Sequence, residues 1–167
     1  VICTGARPSI PAIPGLKDVQ YLTHETIFEN ARLPKHLLVV GAGPIGLELA
    51  FAYRRLGAQV TVIAAEIMPV EDPEIRHFVT ELMSREGVRL VIGSIEEVTQ
   101  QAGEITVRNT AESIRGDMLL VATGRRPNVD GLGLEAAGVL CSSKHGIAVN
   151  EYLQTNIKHI YGAGDVL

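Results

Sequence analysis

No apolar run in this sequence approaches the ~20 residues of a bilayer-spanning helix, and its start shows neither a charged leader region nor a cleavage site. Neither a membrane helix nor a secretory leader is expected, and a soluble, cytoplasmic protein is. Lysine and arginine never cluster, and the net charge is −4, so there is no electrostatic footprint for nucleic acid or an anionic membrane surface. Cysteine is scarce: Cys3 and Cys141 match no metal-ligand spacing and no C-x-x-C motif, and they read as two separate reduced thiols with no metal site. An initiator methionine is also missing. The opening "VICTGARPSIPAIPGL" starts in mid-strand and reads as the interior of a longer protein.

What is present describes an α/β protein of one ordinary core's length. The prolines of "PSIPAIPG" remove backbone donors and set an extended connector, and "THE" at 23–25 reads as polar linker rather than a catalytic histidine motif. A continuous apolar run at 37–41 is a strand that meets a glycine turn. Ile45, Leu47, Leu49, Ala50, Tyr53 and Leu56 then make a nearly all-apolar helix stopped by Gly57, and 60–63 is a second buried strand. A second helix carries Asp72 as N-cap, Pro73 in its first turn, Ile75, Phe78, Val79, Leu82 and Met83 on one face, and Gly87 as its stop. A third strand at 88–92 completes an alternation that implies a parallel sheet with right-handed crossovers.

From 94 to 115 the segments become short and half-polar around Ala102-Gly103 and Asn109, which predicts a small antiparallel meander. An apolar strand returns at 118–122, followed by irregular polar sequence through Gly146 and a last strand at Ile160-Tyr161 entering "GAGD". The expected fold is a Rossmann-like parallel sheet with helices on both faces and a small antiparallel meander.

Gly41, Gly43 and Gly46 form G-x-G-x-x-G between a predicted strand and helix. Their tasks would be the tight turn, close approach of a pyrophosphate, and helix-on-strand packing. Phosphates would sit on the helix N-terminus at Pro44 and Ile45, where unpaired N–H groups face them. The acidic ribose anchor expected about 20 positions on is absent, because Ala64 and Ala65 stand there. An arginine clamp for a 2′-phosphate is absent too, and Glu66 is the nearest charge. Omitting a charged hydrogen-bond partner forfeits ~1.5–3 kcal/mol, whereas a carboxylate beside a phosphate adds repulsion. These residues favour NAD(H) over NADP(H), with Glu66 as a displaced anchor. Glu48, among Leu47, Leu49 and Ala50, is by the same reading a glutamate reaching solvent at the helix edge.

Four segments in this order, "ICTGARPSIPAIPG", "GAGPIGLELA", "LLVATGRRPN" and "QTNIKHIYGAGDV", make the whole chain resemble the pyridine nucleotide-disulfide oxidoreductases, the flavoprotein family of dihydrolipoamide dehydrogenase and mercuric reductase. The resemblance implies an NAD(P)-binding domain at 34–121 inserted into a discontinuous FAD domain. Residues 1–33 would be an FAD-domain segment with linker, and 122–167 the return into that domain. It also implies that Gly124 lies along the cofactor path, that Asp165 bonds the flavin's ribityl chain with Gly164 as a further cofactor-binding residue, and that Glu48 pairs with a lysine outside this chain. The redox-active cysteine pair of the family, its first FAD glycine motif and its C-terminal dimer domain are not in this sequence, so the chain alone is expected to be inactive and the parent a homodimer. Pro44 stands where several members carry an aromatic gate over the nicotinamide pocket. The function implied is hydride transfer from NAD(P)H to FAD; a stand-alone NAD-sensing module, or part of a flavin monooxygenase or ferredoxin reductase-type enzyme, are the alternatives.

Overall fold

A computed structural model describes all 167 residues. In chain order the elements are β1 (Ala6–Pro8), β2 (His36–Ala42), α1 (Pro44–Arg55), β3 (Gln59–Ile67), α2 (Pro73–Glu86), β4 (Arg89–Ile92) and β5 (Ile95–Gln101). They continue with β6 (Glu104–Asn109), β7 (Ser113–Gly116), β8 (Met118–Val121), β9 (Arg125–Pro127), β10 (Cys141–Ser142) and β11 (Gly146–Ile147). No helix is long and apolar enough to cross a membrane. The chain forms two compact units, one of Ile10–Gly124 and one of Val1–Ser9 with Arg125–Leu167.

In the larger unit, four parallel strands lie in the order β4-β3-β2-β8. The alternation of side chains along β2 explains both of its cores. Leu37 and Val39 face Leu47, Leu49 and Ala50 of α1 and Met83 of α2. Leu38 and Val40 face the opposite way, onto Val98, Ile105, Val107 and Ile114 of the meander together with Leu16 and Val19. The parallel Rossmann-like sheet is as expected, but its helices lie on one face only, and the three antiparallel strands β5-β6-β7 cover the other. Strands buried on both sides require apolar cover without dictating its kind. The meander suits the task because β6 buries Ile105, Val107 and Asn109 while leaving Glu104 and Arg108 exposed. Its first hairpin turns on Ala102 and Gly103, whose φ values of 50° and 85° are the left-handed pair of a type I′ turn.

Both helices begin with proline in the first turn, as their sequences require. Asp72 occupies the N-cap position of α2 without making a side-chain cap bond. At the other end Gly87 adopts φ 74°, and the Val88 N–H reaches back to the Met83 carbonyl at 2.8 Å, satisfying an otherwise orphaned acceptor. Of the apolar residues expected to face the core from α2, Met83 is buried, whereas Ile75 and Phe78 are exposed. Residues 10–33, expected with the flanking segment, pack with this unit instead: Leu16 and Val19 enter one core, Ile27 the other, and Leu22 bridges Leu120 beside β8.

The smaller unit joins the ends of two similar segments, Ala6–Pro8 of "TGARP" and Arg125–Pro127 of "TGRRP". β1 and β9 pair antiparallel, Ala6 opposite Pro127 and Pro8 opposite Arg125. Asn128 closes the pair by donating to the Thr4 carbonyl and accepting from Arg7. Val129, Leu134, Val139, Ile147 and Val166 form its core. The strand expected at Ile160-Tyr161 is reduced to isolated bridges, Tyr161 to Gln154 and Gly162 to Ile2.

The starts of β2 and β8 are pinned together by Asp117. Its carboxylate accepts from the His36 N–H at 2.8 Å, the Lys35 N–H at 3.2 Å and the Arg32 guanidinium at 2.8 Å. Burial works against its charge, but these donors outweigh burial and hold its pKa below the ordinary value. Burial is the main influence on the neighbouring His36 and lowers its pKa, the ring bonding Thr61 Oγ1 at 2.8 Å. Both shifts oppose acid. His36 leaves stability intact above about pH 6.5 and withdraws it as pH falls through its folded value; Asp117 does the same below about pH 4. Urea unfolding followed against pH is therefore expected to show two successive losses of stability. Asp117→Ala should cost about 1–3 kcal/mol at pH 7 and abolish the lower step.

Candidate functional site

The parallel order places β2 between β3, which follows it through α1, and β8, which arrives from the far end of the chain. Strand order reverses there, and crevices at such points are where open α/β sheets bind ligands. A cavity of about 660 Å³ lies at this place, within the usual range of ~300–1,000 Å³ for small-molecule sites. Its wall is the glycine turn at 41–45, the end of β3 at Ala64, Ala65 and Glu66, and Ala122, Thr123 and Gly124 after β8.

Each glycine of the turn has its own constraint. Gly41 has φ 109°, and a Cβ on it would lie 2.4 Å from the Ala122 carbonyl oxygen. A Cβ on Gly46 would lie 2.3 Å from the Gly41 oxygen, so α1 rests directly on the turn. Gly43 is different: it is extended backbone at φ −82°, and a Cβ there would meet nothing within 4 Å. No packing contact within the chain requires Gly43 to be glycine, and the space in front of it is open to an object outside the chain. Gly43 is the N-cap of α1 and offers no side chain to the first turn, and that turn holds no acidic residue. The N–H groups of Ile45 and Gly46 and the positive end of the helix are left for an anion. The residues present fit a dinucleotide's pyrophosphate.

At the end of β3, Ala64 is buried and Ala65 and Glu66 are exposed; all three line the cavity. Glu66 is ion-paired with Arg76 of α2. Arg76 also donates to the carbonyls of Glu71 at 2.8 Å and Pro69 at 2.9 Å, fastening the loop from β3 to α2. No lysine or arginine lines the cavity itself. Pro44 and Ile45 line it beside the turn, whereas Glu48 is exposed on α1 and is not part of the wall. Gly124 lines it with φ 128°. Gly164 and Asp165 belong to the smaller unit, where Asp165 is ion-paired with Arg125 at 2.6 Å and Gly164 has φ 79°. Cys3 and Cys141 are free.

Sequence reasoning missed the linker's contribution. Pro11, Ile13 and His24 line the cavity, as do Gly93, Ser94 and Ile95 after β4. No local pattern marks these residues, because Leu22 carries His24 there by pairing with β8 nearly a hundred positions away in the sequence.

Fold and site together define an α/β protein with a cavity and a glycine turn at a topological switch point, a geometry that fits a nucleotide. All of the chain, residues 1–167, matches the family described as pyridine nucleotide-disulphide oxidoreductase, and the chain belongs to that family. It is 42% identical to a mercuric reductase of Lysinibacillus sphaericus over 173 aligned positions, which cover 99% of this chain and 32% of the reductase. Among solved structures, the Cu(II) complex of a cysteine-to-serine mutant of the HOCl-induced flavoprotein disulfide reductase RclA from Escherichia coli superposes with a TM-score of 0.90 at 28% identity, covering 99% of this chain and 38% of that one. An engineered water-forming NADPH oxidase bound to NADPH gives 0.83 at 28% identity, covering 97% and 38%. The chain thus spans about a third of the length of the relatives it matches. Pyridine nucleotide and FAD are the cofactors expected for this oxidoreductase family. A preference for NADH does not follow from the fold, since a neighbour of the same fold binds NADPH.

The contrast between the glycines is open to measurement. Gly41→Ala combines a left-handed φ with a backbone clash and is expected to cost about 2–4 kcal/mol. Gly43→Ala is expected to change stability by less than about 1 kcal/mol. Chemical denaturation of the two variants against wild type checks both.

Proposed function

We propose that Ile10–Gly124 is the pyridine-nucleotide module of a flavin-dependent disulfide reductase-like oxidoreductase, and that Val1–Ser9 with Arg125–Leu167 belongs to its FAD domain. The observation that carries this reading is Gly43, a glycine that the fold does not need, at an uncapped helix N-terminus beside the cavity. When both cofactors are bound, the pyridine nucleotide supplies a hydride and the flavin ring accepts it. The chain's own task is to bind and orient. Ile45 and Gly46 would donate to the pyrophosphate, and Ala64, Ala65 and Glu66 would border the adenosine ribose. Asp165, held by Arg125, would accept from the flavin's ribityl hydroxyls. Glu48, exposed on α1, would meet a lysine of the remaining protein near the flavin. The full-length protein would be a homodimer through a C-terminal domain outside this chain. A stand-alone nucleotide sensor has less support, because a sensor has no use for the flavin-side aspartate of "GAGD".

The coenzyme favoured is NADH, by a modest margin. The absence of lysine or arginine from the cavity wall leaves a 2′-phosphate without a direct clamp. Glu66 retains one carboxylate oxygen outside its bond to Arg76 and can accept from the ribose diol. Arg76 in turn offsets the charge by which Glu66 would repel a 2′-phosphate, which keeps the margin small.

Calorimetric titration with NADH and NADPH tests the reading. Gly43→Val is expected to abolish binding of both coenzymes while leaving the unfolding transition cooperative, and undiminished affinity would reduce the turn to a packing device. Ala65→Arg is expected to shift selectivity about tenfold toward NADPH through a charge-assisted bond to the 2′-phosphate. An unchanged ratio of affinities would show that the ribose lies elsewhere.

A further inference from the structure

We propose that His24 is an additional phosphate contact of the dinucleotide site, a side chain whose protonation strengthens binding of the pyrophosphate at the start of α1. The inference rests on the dinucleotide reading above. Three observations lead to it. The first is placement. Leu22 lies against β8 as a parallel bridge, its N–H donating to the Leu119 carbonyl and its own carbonyl accepting from the Val121 N–H, both at 2.8 Å. His24, two residues further on, is therefore level with the end of β8, where Ala122 touches the glycine turn. It is half-buried and lines the same cavity as Gly43 and Pro44.

The second is fixation. Thr23 accepts at its carbonyl from the N–H groups of Thr26 and Ile27, and its hydroxyl accepts from the Glu25 N–H at 3.3 Å, while the Thr26 hydroxyl accepts from the Thr23 N–H at 3.0 Å. This reciprocal turn leaves His24 with a defined backbone at the cavity's edge. The third is vacancy of function. The imidazole has no hydrogen-bond or ionic partner in the structure, although Thr23 and Thr26 on either side of it are fully engaged.

The ligand chemistry follows from what else the wall contains. A pyrophosphate carries two negative charges, yet no lysine or arginine lines the cavity, and Pro44 removes one of the helix's terminal N–H donors. Glu66 is the other ionisable side chain of the wall, at the β3 end and already neutralised by Arg76. Glu25 on the same turn and Glu48 on α1 are exposed and are not part of the wall. Of the residues facing the cavity, only His24 can become a cation, and its imidazolium would supply the positive donor to phosphate that the rest of the wall lacks. Binding a phosphate beside it favours the imidazolium, so binding takes up a proton and affinity rises as pH falls.

The test uses NAD⁺, whose pyrophosphate does not titrate near neutrality and which lacks the 2′-phosphate that would. Calorimetry at pH 6 and pH 8 on the purified protein, repeated in buffers of different ionisation enthalpy, reads affinity and proton uptake together. Wild type is expected to bind about fivefold more tightly at pH 6 than at pH 8, with fractional proton uptake near pH 7. His24→Gln is expected to lose both the pH dependence and the uptake and to match wild type's weaker limit. His24→Lys is expected to retain the tighter limit at both pH values. A pH slope that survives in His24→Gln, or a wild type without one, overturns the proposal while leaving the dinucleotide site in place. Absence of NAD⁺ binding by wild type at both pH values overturns the dinucleotide reading and this contact with it.

Discussion

The structure depends on one close approach of backbone to backbone. Gly41 lies so near the Ala122 carbonyl that no side chain can stand between them, and Gly46 lies equally near the Gly41 carbonyl. The end of β8, the turn after β2 and the first turn of α1 are thus stacked with only backbone at the joints. Widening either joint by one methyl group would move α1 off the sheet and separate β2 from β8 at the place where strand order reverses. The cavity exists because this stack is tight at its base. Beyond it Gly43 is unencumbered, and the helix N-terminus is presented to the open side. A structural constraint on two glycines therefore prepares the setting for the third.

The sequence patterns were most informative where the determinants are local. The glycine turn, proline in the first turn of each helix and the left-handed Gly87 each act within a few residues, and they located β2, α1, β3, α2 and β4. The meander was legible for the same reason, its Ala102-Gly103 turn selecting a tight hairpin. What covers each face of the sheet was not legible. Leu38 and Val40 demand burial, but a helix and the apolar side of a small sheet satisfy that demand equally well. The segment from Leu16 to Ile27 reads as linker because it follows the prolines at 8, 11 and 14 and is largely polar, yet single apolar residues anchor it to both cores. The pairing of β1 with β9 escaped notice because similarity between "TGARP" and "TGRRP" reports a shared conformation without reporting contact.

The candidate site divides in the same way. Gly41, Gly43, Pro44, Ile45, Ala64, Ala65, Glu66 and Gly124 all border one cavity, although they come from three separated stretches, while Gly46 is buried beneath the turn. A motif with fixed spacing supplied the first group, and the rule that a ribose anchor follows at the end of the next strand supplied the second. The arginine partner of Glu66 was not legible, since it lies on the next helix and reaches back across a loop whose path no residue spacing specifies.

That partner changes the electrostatics of the β3 end of the cavity, where the proposed reading puts the adenosine ribose. An isolated carboxylate at the end of β3 would attract a ribose diol and repel a 2′-phosphate, giving sharp discrimination. Here the carboxylate and guanidinium form a neutral pair that also fastens the loop through the Pro69 and Glu71 carbonyls. To offer itself to a phosphate, Arg76 would have to leave three acceptors, whereas Glu66 can receive a hydroxyl with its second oxygen and keep its partner. The cost of rearrangement thus falls on the phosphate-bearing coenzyme alone. Its size is limited because Glu66 is largely exposed, so water can replace part of what Arg76 gives up. On the proposed reading, modest selectivity for NADH would arise from an unequal cost of reorganising a single ion pair, without any residue dedicated to excluding NADPH.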